Sequence, residues 1–137
     1  MQFVFTGRRS VEELTGALIE AGWRIRDGDR VSYLTDPDMF EWKSSDLSDV
    51  ARVLEELEAA RISNGSCAAI FTWGDSDVGG SFLIDSFGES VTLDPVRNKV
   101  TRKDVDAFLD FEWYLGKVIP CFESLGLSGF RIADLPG

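Results

Sequence analysis

Residues 66–96 read SCAAIFTWGDSDVGGSFLIDSFGESVTLDPV, and this stretch decides the fold. SCAAIFTW is a short unbroken apolar run between Gly65 and Gly74. Its length and its flanking turn residues mark a buried strand rather than a helix. SFLIDSF and SVTLDPV follow as two more strands, split by Gly88. GDSDVGG joins the first two as a hairpin loop of roughly seven residues, because Asp and Gly tolerate the positive φ that turns require. Residues 66–73, 81–87 and 90–96 are therefore expected as adjacent antiparallel strands of one sheet.

Working outward, QFVFTG places a strand at residues 2–6. SVEELTGALIEAG is a helix. Ser10 and Glu13 form a capping box, Val11, Leu14, Leu18 and Ala21 share one face, and Gly22 supplies the stop. WRIRDGDRVSYLT alternates on both sides of Asp-Gly-Asp, which predicts a hairpin turning at Gly28. Residues 39–42 fit a short strand after the Pro37 turn. A second helix spans residues 47–62, capped by Ser45 or Asp46 and ended by Asn64 and Gly65. Its stripe is Val50, Leu54, Leu57 and Arg61, with Val53 and Ala60 beside it. Thr101 and Asp104 form another capping box for a last helix, with Val105, Phe108, Leu109, Leu115, Ile119 and Phe122 as its apolar face. Pro120 predicts a kink or break near Lys117. FRIADLP closes the chain as an edge strand. The sum is a single α+β domain over residues 1–137, a mostly antiparallel sheet with about three helices packed on it.

The 137 residues are 44% hydrophobic and 28% charged, enough for one domain with a real core. MQFVFTGRRSVEELTG has no apolar run behind a basic start, so no signal peptide is expected. No stretch approaches the roughly 20 apolar residues of a membrane helix. Cys67 and Cys121 both stand in apolar company, which fits buried reduced thiols in a cytoplasmic protein. A disulfide between them is the alternative.

The chain contains no histidine. That removes Ser-His-Asp and Cys-His catalysis, histidine bases and histidine metal sites together. Two distant cysteines do not make a structural zinc site. Gly-Asp-Ser at residues 74–76 also occurs in the nucleophile block of GDSL-type lipases, but there it sits near the N-terminus and needs a downstream histidine. Asp75, Asp77 and Gly80 match part of a calcium-loop spacing, yet Gly79 and Ser86 stand where further ligands belong. The loop therefore reads as a hairpin tip. Asp104, Asp106, Asp110 and Glu112 read as a solvated helix face. Neither metal nor cofactor is expected. Phe108, Phe111, Trp113 and Tyr114 crowd one segment and cannot all share one helical face.

The formal net charge is −10. Nucleic acid is a poor partner for such a chain, since phosphates need clustered Lys and Arg. A basic protein is a better one. The charge is uneven, because residues 36–60 carry eight acidic and two basic groups. In its acidity, its short single domain, its acidic helix SDLSDVARVLEELEAA and its aspartate loop GDSDVGG, the chain resembles the small immunity proteins of bacterial toxin systems. That resemblance implies a non-catalytic protein that neutralises a basic toxin by covering its active site with carboxylates. The residues expected to meet the partner are Asp38, Glu41, Asp46, Asp49, Glu55, Glu56, Glu58, Asp75 and Asp77, with Trp42 and Trp73 as apolar anchors. A structural or adaptor subunit with another protein partner is the rival reading. An enzyme using carboxylates, or a small-ligand binder, is the third, and it would need acidic groups converging in a pocket.

Overall fold

The computed structural model describes residues 1–36, 41–97 and 110–132. Within them lie β1 (Gln2–Phe5), α1 (Val11–Ala21), β2 (Trp23–Arg24), β3 (Arg30–Leu34), β4 (Lys43–Asp46), α2 (Val50–Asn64), β5 (Cys67–Trp73), β6 (Gly79–Asp85), β7 (Ser90–Arg97), α3 (Phe111–Glu123) and β8 (Leu127–Arg131). The strands form one antiparallel sheet in the order β4-β3-β5-β6-β7-β1-β8, with β2 also paired to β5. The fold is α+β, and β5, β6 and β7 are the neighbours that residues 66–96 imply.

Strand alternation explains the layering. Cys67, Ala69 and Phe71 of β5 join Phe82, Ile84, Val91 and Leu93 in the core. Onto this face α1 lays Val11, Leu14 and Leu18, α2 lays Val53, Leu57 and Ala60, and α3 lays Tyr114, Val118 and Phe122. Phe122 takes Phe3 and Phe5 edge to face, with ring centroids 5.5 and 5.2 Å apart. Such pairs add about 1 kcal/mol each beyond the area they bury.

Several local expectations need correction. The Asp-Gly-Asp segment is not a regular hairpin. Trp23 and Arg24 pair with Trp73 and Thr72 at one end of β5, while Tyr33 and Leu34 pair with Ala69 and Ala68 at the other. Only an isolated Asp27–Arg30 bridge joins the two arms, because both arms find stronger pairing on β5. The strand expected at residues 39–42 is instead Lys43–Asp46, paired with β3 and tied across by Arg30 to Ser44 and Asp46. Residues 39 and 40 lie outside the described residues.

Helix α1 has the expected capping box, both hydrogen bonds at 3.1 Å, but Ala21 faces solvent. Helix α2 starts at Val50, after a 3-10 turn at Leu47–Asp49, and neither Ser45 nor Asp46 caps it. Its buried stripe is Val53, Leu57 and Ala60, with Val50 and Leu54 flanking. Gly65, at φ 82°, ends it.

Helix α3 is capped by Asp110, which accepts from the Trp113 N–H at 3.2 Å. It runs unbroken through Pro120. Burial of Tyr114, Val118, Cys121 and Phe122 outweighs the one backbone bond that proline removes. The capping box at Thr101 and Asp104, with Val105, Asp106, Phe108 and Leu109, lies outside the described residues. β8 begins at Leu127 and pairs with β1, earlier than FRIADLP implies. Both cysteines are free.

The GDSDVGG loop is shorter than it reads, because Gly79 and Gly80 belong to β6. A Cβ on Gly79 would lie 1.9 Å from the Phe71 carbonyl oxygen, and one on Gly80 would lie 2.0 Å from that of Asp94. The β6–β7 register slips between Gly79 and Ser81, where Pro95 has no N–H to offer. Gly80→Ala should therefore destabilise the fold by about 3 kcal/mol or more. Gly16→Ala, mid-helix with nothing within 4 Å, should stabilise it by about 0.5–1 kcal/mol. Urea unfolding of the two variants checks both signs, and a neutral Gly80→Ala would refute the close-approach argument.

Candidate functional site

Alternation sends the remaining strand residues to the sheet face away from the helices. There Leu34, Ala68, Leu83 and Thr92 line up across four strands, and Ile70, Ser81 and Asp94 form a second row. These rows floor a cavity of about 570 Å³. Leu34, Ala68, Ile70 and Leu83 supply apolar surface, and Ser32, Ser81 and Thr92 supply hydroxyls. Trp42, Val96 and Asp94 complete the lining among the described residues. Trp42 is 45% exposed and stands at the border of this apolar floor. Volume and lining are those of a binding site. On the same face Thr72 Oγ1 is buried without a hydrogen-bond partner among the described residues.

The acidic residues behave differently. Asp46 pairs with Arg30 at 3.0 Å, and Asp75 with Arg24 at 3.2 Å. Asp49 accepts from Ser45 Oγ at 2.8 Å and pairs with Arg52 at 3.6 Å, and Arg52 also holds Glu56 at 3.2 Å. The Ser45 hydroxyl, followed by Arg52, holds the Asp49 carboxyl below its usual range. Glu56 beside the Tyr33 hydroxyl raises that phenol, and burial adds to the rise. Glu58 accepts from the Val11 N–H at 2.7 Å and pairs with Arg61. It thus satisfies a free donor at the start of α1 and favours that helix's positive end. Glu41 and Glu55 are exposed, and Asp38 lies outside the described residues.

Of the two expected anchors, only Trp42 borders the cavity. Trp73 packs edge to face on Trp23 and Trp113, with centroids 5.4 and 6.4 Å away, and the Lys117 ammonium sits 4.8 Å over its ring. The hairpin tip is held by Ser76. Its hydroxyl donates to the Trp73 carbonyl at 2.5 Å and accepts from the Val78 N–H at 3.2 Å. Ser76 is thus committed to turn structure, and Asp77 is exposed beside it. The cavity residues Leu34, Ile70, Leu83 and Asp94 were not among the expected site residues. For Leu83 and Asp94 the signal is the second face of SFLID and TLDPV, where apolar and polar residues mix instead of being uniformly polar.

The two thiols take no part in a site. Burial pushes Cys67 up to about 12 and Cys121 up to about 11. Thiols so shifted are unreactive at neutral pH. Among the described residues no three acidic or cysteine side chains are grouped to hold a metal ion. No described helix is long and apolar enough to cross a membrane. Comparison with protein-family models, with curated proteins and with solved structures finds no significant match.

The Glu58 contacts have a pH signature. Arg61, and then the Val11 N–H, hold its carboxyl below the ordinary 4.5, against the opposing effect of burial. A depressed carboxylate contributes stability that is fully present above the unfolded value and is lost as pH falls through the folded one. Glu58→Gln should cost about 1–2 kcal/mol at neutral pH, and the gap should narrow progressively as the pH falls below about 4. Urea unfolding of both proteins across this pH range measures this, and a gap independent of pH would count against the ion pair.

Proposed function

We propose that this chain is a non-catalytic protein-binding module, acting as a cytoplasmic immunity protein that neutralises a basic bacterial toxin. The observation that carries the reading is the cavity on the sheet face opposite the described helices, with an apolar floor and half-exposed Trp42 at its border. A tryptophan bordering a largely apolar hollow is a common anchor of protein interfaces. The net charge of −10 favours encounter with a basic partner. Acid–base catalysis by carboxylates commonly uses a pair, and Asp94 is the cavity's single carboxylate among the described residues. Most of the acidic set expected to dock is engaged in internal ion pairs, which puts the weight of the interface on the sheet face.

Where a toxin domain is encoded beside its gene, coexpression with that domain tests the reading. The unaltered chain should restore growth. Trp42→Ala should weaken binding about 30-fold or more, the measure of a hot-spot aromatic, by raising the dissociation rate. It should leave the melting temperature nearly unchanged, since exposed substitutions cost about 0.5 kcal/mol or less. Failure of the unaltered chain to protect, or full protection by Trp42→Ala, would overturn the proposal.

A further inference from the structure

We infer that the sheet-face cavity captures an arginine of the partner, presented next to a bulky apolar residue; this rests on the protein-binding reading above. Asp94 is the reason. Asp46, Asp49, Glu56, Glu58 and Asp75 each have an arginine of this chain as partner. Asp94 makes no hydrogen bond or ion pair among the described residues. The Met1 ammonium is near enough to feel its charge, but donates to the Leu93 carbonyl at 3.0 Å instead. Asp94 is therefore a carboxylate with no direct cationic partner among the described residues, at the border of a largely apolar hollow where a cation is attracted more strongly than in open water.

The surroundings select the cation. Ser81 lies directly across from Asp94, and Thr92 is two residues before it, on the same face. A guanidinium can place two parallel N–H groups on the carboxylate and still donate to these hydroxyls. Its methylene stem would lie on Leu83 and Val96. Guanidinium is also more weakly hydrated than ammonium, so it enters an apolar mouth at lower cost. The cavity volume of about 570 Å³ exceeds what one side chain fills. Leu34, Ala68 and Ile70 floor the remainder, and Trp42 borders it. That part suits an apolar residue carried on the same segment.

The probe is the peptide acetyl-Leu-Gly-Arg-amide, compared with the same peptide carrying citrulline, the neutral isostere, or lysine in place of arginine. Binding to the full chain is followed by NMR, through the Trp42 indole N–H and the amides of β6 and β7. The arginine peptide should bind about threefold to fivefold more tightly than the citrulline peptide, the range of a partly exposed ion pair. Asp94→Asn should weaken the arginine peptide by that factor and leave the citrulline peptide unchanged. Added salt should weaken only the arginine peptide. Equal binding of the arginine and citrulline peptides by the unaltered chain would overturn the inference. So would shifts centred on α2, or equal binding of the lysine peptide. The two readings fail separately. Loss of toxin protection in Trp42→Ala with no arginine preference leaves the protein-binding reading and removes arginine capture. Arginine preference with full protection by Trp42→Ala removes the toxin-neutralising reading and leaves only a guanidinium-binding hollow.

Discussion

Trp23 is the side chain on which the layers converge. It is fully buried, one residue after Gly22, whose φ of 123° turns the chain from α1 into the sheet. A Cβ on Gly22 would come within 3.0 Å of the Trp73 ring, so the turn and the aromatic contact depend on the same missing methyl group. The Trp23 ring meets Trp73, Phe82 and Trp113 edge to face. Its indole N–H donates to the Lys117 carbonyl of α3 at 3.0 Å. A buried indole N–H without a partner costs a few kcal/mol, so α3 must present that carbonyl for the core to close. This helps explain why α3 stays helical on both sides of Lys117 despite Pro120.

The charge distribution follows a second logic. The acidic excess of residues 36–60 looks like one docking surface when counted along the chain. In space, Arg30 and Arg61 come from outside that segment and pair with Asp46 and Glu58, while Arg52 serves Asp49 and Glu56. Each exposed pair contributes little to stability. Together they weaken the local field, and a carboxylate already holding an arginine has less to offer another protein. Any attraction of a basic partner would then come from the net charge of the whole molecule rather than from this one segment.

The sequence made the fold legible where local chemistry and tertiary need agreed. The capping box at Ser10 and Glu13, the stop at Gly65 and the three strands of residues 66–96 are such places. It was misleading where pairing was decided at long range. β2 and β3 read as a hairpin because they alternate on both sides of a turn, yet each finds β5. Ser45 and Asp46 read as caps of the second helix, yet KSSD is a strand because β3 offers an edge. The candidate site was half legible. Trp42 stood out as an aromatic in an acidic stretch. Asp94 did not, because nothing local distinguishes a carboxylate with a salt-bridge partner from one without. The partners are sixteen residues away for Asp46 and fifty-one for Asp75, and only folding determines them.

The buried thiols carry one further consequence. Cys67 lies at the start of β5, inside the sheet, and Cys121 on the buried face of α3, so the two sample different layers of the same core. Neither reacts readily while the protein is closed, since burial holds both as neutral thiols. Each becomes an ordinary cysteine once its own layer opens. The chain thus contains two intrinsic reporters of breathing. Unequal labelling rates would mean that α3 lifts from the sheet without the sheet coming apart. Equal rates would mean that the domain opens as a single cooperative unit.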